Sequence, residues 1–273
     1  MGNIELNRKA NKLRKDILRT IYKSKSGHIG GSYSCIDILV ALYHGGNLIY
    51  DINNPSLKTR DRFILSKGHA AIALYSVLAD VGFINSGELA TFCTNGTRLG
   101  GHASSKVPGV EIETGSLGHG LGVGCGIAWG AKINKFDYKI FVVTGDAELY
   151  EGSIWEAIIF ASHFELNNLV MIIDRNMQAV MDFTEDCLSL SPLDKKLLAF
   201  GFDVINVDGH SISDLNKVLR NCKESSGKKP TAIIANTIKG KGVSFMEGEF
   251  RWHHSIPNDE EYKMALDELE SRF

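Results

Sequence analysis

Asp146 and Asn176 stand thirty positions apart, each just past an apolar run. The first closes K-I-F-V-V-T-G-D-A-E-L-Y-E-G and the second L-V-M-I-I-D-R-N-M-Q. A carboxylate, a side-chain amide oxygen and a nearby backbone carbonyl are hard oxygen donors, which suit Mg²⁺ or Ca²⁺ and not zinc. Mg²⁺ keeps coordination positions for phosphate oxygens. The pair therefore points to a metal-bridged diphosphate. Both residues also have ordinary uses, since Asp at a strand end caps the next helix and Asn sits in turns.

Histidine supplies the second kind of chemistry. His28, His69 and His102 each follow Gly in a Gly-rich block: S-G-H-I-G-G, S-K-G-H-A-A and G-G-H-A. Imidazole carries protons near neutral pH, and glycine lets backbone approach a ligand closely. A lone histidine is more often a surface or core residue, but three in such blocks favour chemistry. His44, His163 and His210 lie in no such block and read as ordinary residues. The chain has 28 Gly against five Pro, clustered also in T-G-S-L-G-H-G-L-G-V-G-C-G and K-G-K-G.

These groups need a scaffold that brings them to one place. Residues 4–23 put Ile4, Leu6, Ala10, Leu13, Ile17, Leu18 and Ile21 at helical spacing. Residues 32–43 read as a second helix with Ser32 at its start. Beyond them, apolar strands (R-F-I-L, K-I-F-V-V-T, L-V-M-I-I-D, D-V-I-N-V and T-A-I-I-A-N) alternate with helices. That alternation predicts an α/β fold, a mainly parallel sheet with helices on both faces. Parallel strands put their carboxyl ends on one edge, where open sheets bind ligands, so Asp146 and Asn176 are expected to meet there. The helical stretch 1–60 is expected to wrap the sheet within a single domain spanning 1–273.

Bulk properties exclude several partners. A net charge of −2 calls for neither nucleic acid nor an anionic membrane. No apolar run approaches the roughly 20 residues of a membrane span. The N-terminus is polar and periodic, unlike a signal peptide. Five scattered cysteines without C-x-x-C spacing fit a reduced, cytoplasmic protein.

With its neighbours included, G-D-A-E-L-Y-E-G-S-I-W-E-A followed by N-N-L-V-M-I-I-D-R-N resembles the thiamine-diphosphate signature of G-D-G, a spacer of about thirty residues and an Asn. The blocks S-G-H-I-G-G, S-K-G-H-A-A, G-G-H-A, T-G-S-L-G-H-G-L-G and T-I-K-G-K-G-V-S-F-M-E…W-H resemble, in order and approximate spacing, the amino-terminal part of transketolases. The resemblance covers nearly the whole chain. It implies a thiamine-diphosphate-binding fold, the diphosphate-binding domain. It also implies that Asp146, Asn176 and the carbonyl of Gln178 ligate Mg²⁺, with Ca²⁺ as the alternative. Gly145 and Ala147 then approach the diphosphate and Lys239 faces it. His69 lies against the cofactor, and Gly115, Ser116 and Leu117 line its aminopyrimidine side. His28, His102 and His253 match histidines that bind sugar hydroxyls and shuttle protons. Glu151 matches a carboxylate at the dimer interface that couples two cofactors.

The implied activity is transfer of a two-carbon ketol unit from a ketose, or its phosphate, to an aldose. A carboligase or 2-oxo-acid decarboxylase subunit using the same cofactor is the alternative, and a non-catalytic scaffold a third. Three residues depart from the family pattern: Ala147 where Gly is usual, His254 where W-H-G would have Gly, and His119 where Gln is frequent. After W-H-H-S-I-P the sequence holds one predicted helix, D-E-E-Y-K-M-A-L-D-E-L-E. The family's second domain binds the aminopyrimidine and supplies the activating glutamate. The chain alone is therefore expected to be inactive, and to need a separate carboxy-terminal subunit in a heterotetramer.

Overall fold

A computed structural model describes residues 1–272 of the chain. Helix α1 (Asn3–Ser24) buries Leu6, Ala10, Leu13, Ile17, Leu18 and Ile21 along one stripe, as their spacing requires. Helix α2 (Ile29–Tyr43) is buried on every side. It begins three residues before the expected Ser32. That serine does not cap the helix, because its hydroxyl donates to the carbonyl of His28 from inside the first turn. Strand β1 (Arg62–Leu65) leads into helix α3 (Ala71–Val81), which stops at Gly82 with φ 98°.

Helix α4 (His119–Ile133) precedes strand β2 (Ile140–Gly145). Helix α5 (Gly152–His163) separates it from strand β3 (Leu169–Arg175). The short helices α6 (Thr184–Cys187) and α7 (Leu193–Ala199) lead to strand β4 (Asp203–Asp208). Helix α8 (Ile212–Glu224), capped by the Ser211 hydroxyl, then leads to strand β5 (Thr231–Asn236). Helix α9 (Asp259–Glu270) starts with a capping box: Asn258 Oδ1 accepts from Glu261 N at 2.9 Å and Asn258 N donates to Glu261 Oε2 at 2.9 Å.

The five strands are parallel throughout, in the order β1-β2-β3-β5-β4. Strand side chains alternate between two cores. Phe63, Leu65, Phe141, Val143, Val170 and Ile172 pack against α1, α2, α3, α8 and α9. Ile64, Ile140, Val142, Met171 and Ile173 pack against α4, α5 and α7 on the other face. Residues 1–60 thus contribute a buried helix to a core shared with the sheet. Among the described residues, no helix is long and apolar enough to cross a membrane.

Candidate active site

Register decides what the carboxyl edge displays. Gly145 of β2 pairs with Asp174 of β3, and Arg175 pairs with Asn236 of β5. Four segments therefore leave the sheet side by side: Ser66–His69 after β1, Asp146–Glu151 after β2, Asn176–Gln178 after β3 and Thr237–Lys239 after β5. Asp146 and Asn176 meet there as the parallel arrangement requires. Asp146 Oδ2 accepts from the amide of Met177 at 2.7 Å, and its Oδ1 from Ala147 at 2.9 Å. Asn176 Oδ1 accepts from Gln178 N at 3.1 Å. Asp146 is thus also a cap, its other expected use, for the 3-10 turn Ala147–Tyr150.

This corner fits a hard divalent cation. Asp146 is buried, and its pKa is pushed up to about 6 by that burial and then by Asp174. Arg175, whose guanidinium lies 3.7 Å away, does not fully offset this. A buried carboxylate short of positive charge favours a metal ion. Gln178 is buried with its Oε1 unpartnered, while its amide donates to the carbonyl of Gly248. The groups available there to a cation are oxygens from Asp, Asn and backbone. Accordingly no cluster of three or more His, Cys, Asp or Glu suited to a metal occurs among the described residues.

The histidines from three Gly-rich blocks and the W-H-H segment converge around His28. Its ring centroid lies 5.3 Å from His69, 6.0 Å from His102, 5.3 Å from His253 and 4.7 Å from His254. Burial, then the charge of His253, lowers the His28 pKa to about 3. Burial, then Lys239, lowers His253 to about 4. Burial, then Lys67, depresses His69 well below its usual value. These three imidazoles are neutral at pH 7, able to donate and accept hydrogen bonds. The Nδ1 atoms of His28 and His253 are buried without partners, as groups awaiting a polar ligand would be.

Glycine is required where these segments touch. A Cβ on Gly31 would stand 3.2 Å from His69 Nε2. Gly115, at φ 149°, would put one 3.0 Å from His102. Ser116 is exposed and Leu117 half-buried beside it. Lys239 is buried, its Nζ donates to the carbonyl of Ala179 at 2.9 Å, and burial followed by Lys67 lowers its pKa to about 8. Glu151 is exposed at the start of α5, with its stem against Gly118. His119 is exposed at the start of α4. His44 lies 3.3 Å from Asp80, and His163 stands edge-on to Phe164, in keeping with ordinary roles.

Several residues of the edge went unread in the sequence. Lys67 and Asp174 form a fully buried ion pair, with Ser34 and Thr237 also donating to Asp174. Burial opposes both charges, but each partner outweighs it, raising Lys67 and lowering Asp174. Glu148 is buried between three of the site segments. His210 has a structural place, in keeping with its ordinary reading: its Nδ1 lies 2.7 Å from Asp37, and its Nε2 accepts from Ile238 N at 2.8 Å. The one sequence signal for these was charge next to a recognised block, as in S-K-G-H and G-D-A-E.

Residues 6–269 match the family model described as transketolase, thiamine diphosphate binding domain. The chain is 43% identical over 261 residues to an apulose-4-phosphate transketolase subunit of Phocaeicola vulgatus, covering 96% of this chain and 92% of that one. It is 38% identical to a 6-deoxy-6-sulfo-D-fructose transketolase subunit of Clostridium sp., covering 98% of this chain and 97% of that one. Transketolase from Campylobacter jejuni superposes with a TM-score of 0.92 at 31% identity, covering 99% of this chain but 43% of the solved one. The chain therefore belongs to the transketolase family, as a subunit-sized thiamine diphosphate binding unit.

Proposed function

We propose that this chain is the amino-terminal subunit of a split transketolase, moving a two-carbon ketol unit from a ketose or ketose phosphate to an aldose acceptor. The observation that carries the reading is the convergence of the Asp146–Asn176 corner and five histidines on one sheet edge. Asp146, Asn176 and the Gln178 carbonyl would hold Mg²⁺, with Ca²⁺ as the alternative. Lys239, Gly145 and Ala147 would face the diphosphate. Gly115, Ser116 and Leu117 would line the aminopyrimidine side, and His69 would lie against the cofactor. Thiamine diphosphate, when bound, supplies the electron sink for cleaving and forming the carbon–carbon bond.

The chain's own groups do the rest. Neutral His28 and His253 can accept a hydroxyl proton from the donor sugar and return one to the acceptor carbonyl. His102 orients the donor hydroxyls. A pKa of about 3 or 4 makes these imidazoles weak bases in the unliganded site. Bringing a developing negative charge beside them would raise their proton affinity when it is needed.

The aminopyrimidine side is open at Ser116, so the reading includes a carboxy-terminal, transketolase-like partner that covers it. Two copies of each chain form the assembly, with Glu151 at the contact between cofactors. The subunit naming of the relatives supports the need for a partner chain. Five free cysteines fit a reducing cytoplasm.

The test is to co-purify the chain with candidate partner subunits. Thiamine diphosphate and Mg²⁺ are then added, and aldehyde release is followed from a panel of phosphorylated and free ketoses. Release in the mixture alone supports the proposal, and Asp146→Ala should abolish it. Firm cofactor binding without aldehyde release would replace it with the carboligase reading and a panel of 2-oxo acids.

A further inference from the structure

Glu148 is a carboxylate buried to 1% exposure, and its hydrogen-bond donors are Ser66, Gly118 and Gly145, none of them a histidine. Its acceptors are taken by three segments of the site. Oε1 receives the hydroxyl of Ser66, directly before Lys67–His69, and the amide of Gly118 at 2.9 Å, directly after Gly115–Leu117. Oε2 receives the amide of Gly145 at 3.0 Å, directly before Asp146. Ser66 follows β1, Gly118 opens α4 and Gly145 ends β2, so no backbone ladder joins all three.

We propose that Glu148 is a positioning residue that sets the diphosphate corner, the histidine-bearing turn after β1 and the aminopyrimidine loop in one fixed relation. The proposal rests on reading the site as that of thiamine diphosphate. All three partners are donors, so the tie demands a group that only accepts. A buried carboxylate is costly to keep where apolar packing would serve, and its charge strengthens each bond. Gly118 has no side chain with which to make such a tie itself. Its φ is 88°, and a Cβ there would stand 2.5 Å from the stem of Glu151. The loop before it is tied by Thr114, whose hydroxyl donates to the Leu65 carbonyl at 2.8 Å, and at Gly118 by Ser153, which donates to its carbonyl at 3.0 Å, and the Glu148 carboxylate adds the tie to β2.

Glu148→Gln keeps the size and removes the acceptor. Whichever way the amide turns, its NH₂ faces either Gly118 N–H or Gly145 N–H, donor against donor. Two readouts decide the matter. Amide hydrogen exchange of the full chain without ligand should accelerate at whichever of Gly118 and Gly145 faces the new NH₂ in Glu148→Gln, and stay unchanged elsewhere in the sheet. Calorimetric titration of the reconstituted complex with thiamine diphosphate and Mg²⁺ should show affinity weakened about 10- to 100-fold, the loss expected for a charged hydrogen bond. Turnover should recover at saturating cofactor.

Asn168→Ala, which removes a buried hydrogen bond from Asn168 to the Ala128 carbonyl within the same core, should lower the melting temperature and leave cofactor affinity as it was. Should Glu148→Gln not fold, Ser66→Ala removes one donor and should weaken binding by about threefold to tenfold. Equal affinity for wild type and the folded variants, or unchanged exchange at both Gly118 and Gly145, overturns the proposal. No binding by the wild-type complex overturns the cofactor reading itself, and the proposal with it.

Discussion

Ala147 stands where the family signature has glycine. The residue opens a 3-10 turn and lies outside the left-handed region, so its methyl imposes no backbone strain. Ala147→Gly should therefore leave cofactor affinity within about threefold, and cost up to about 1 kcal/mol of stability through added chain entropy. Titration calorimetry and urea unfolding check the two halves, and a gain of affinity beyond tenfold would show that the methyl crowds the diphosphate. His254 is a second departure, and its ring is the nearest of the four around His28. His254→Gly should change the relative KM values of short and long ketoses with little change in melting temperature. An unaltered ketose profile would remove His254 from the pocket. The imidazoles also give the unliganded chain an acid sensitivity. His28 and His253 have folded-state pKa values of about 3 and about 4, below their ordinary 6.5. Between those values the unfolded chain binds more protons. Their contribution to stability is full above pH 6.5 and falls as the pH drops toward 4, offset in part by Asp146, whose raised pKa of about 6 carries a penalty that fades over the same range. Melting temperatures across that range should show the decline, and His253→Asn should flatten it.

At the scale of elements, the loop that carries Lys239 is held from behind by helices. Arg14 of α1 pairs with Asp37 of α2 at 2.6 Å and donates to the carbonyl of Lys241 at 2.8 Å. Asp37 also holds His210, which fixes Ile238. Asp37→Ala would leave the Arg14 guanidinium buried and uncompensated, a loss of about 3–5 kcal/mol. Urea unfolding measures it, and a change under 1 kcal/mol would mean that the guanidinium finds water instead. This network also marks the limit of what sequence conveys. The helices α1 and α9 and all five strands could be read, because apolar spacing and capping act over a few residues. Asp146 with Asn176, and the Gly–His blocks, could be read because each motif is local and parallel strands share an edge. Glu148, Lys67 and Asp174 could not, since each finds its partner 82 or 107 residues away. The partners of His210, Asp37 and Ile238, were not legible because both bonds run across the fold. The start of α2 was misplaced because Ser32, a good cap by type, points its hydroxyl back along the helix.

For the whole molecule, the unsettled face is the one formed by α4 and α5. Gly122 and Gly126 lie one turn apart on the exposed side of α4, and a Cβ at either would meet nothing within 4 Å. Around them Val123, Trp129, Ile133, Ile159 and Phe164 remain 37–59% exposed, with Trp129, Phe160 and Phe164 clustered edge-on and tilted. Water does not favour so large an apolar patch on a finished surface. Glu151, expected at the contact between cofactors, opens α5 on the same side. Small residues there allow another helix to approach closely. Gly126→Gln separates this from ordinary packing. Within the isolated chain the side chain has open space, and replacing a helical glycine should raise stability by up to about 1 kcal/mol. In the reconstituted complex the same side chain would stand between the subunits and hold them apart. The expected result is an unchanged or higher melting temperature for the chain alone, together with a smaller assembly by light scattering. A full-sized assembly with normal turnover would place the contact elsewhere and leave this aromatic face without a partner.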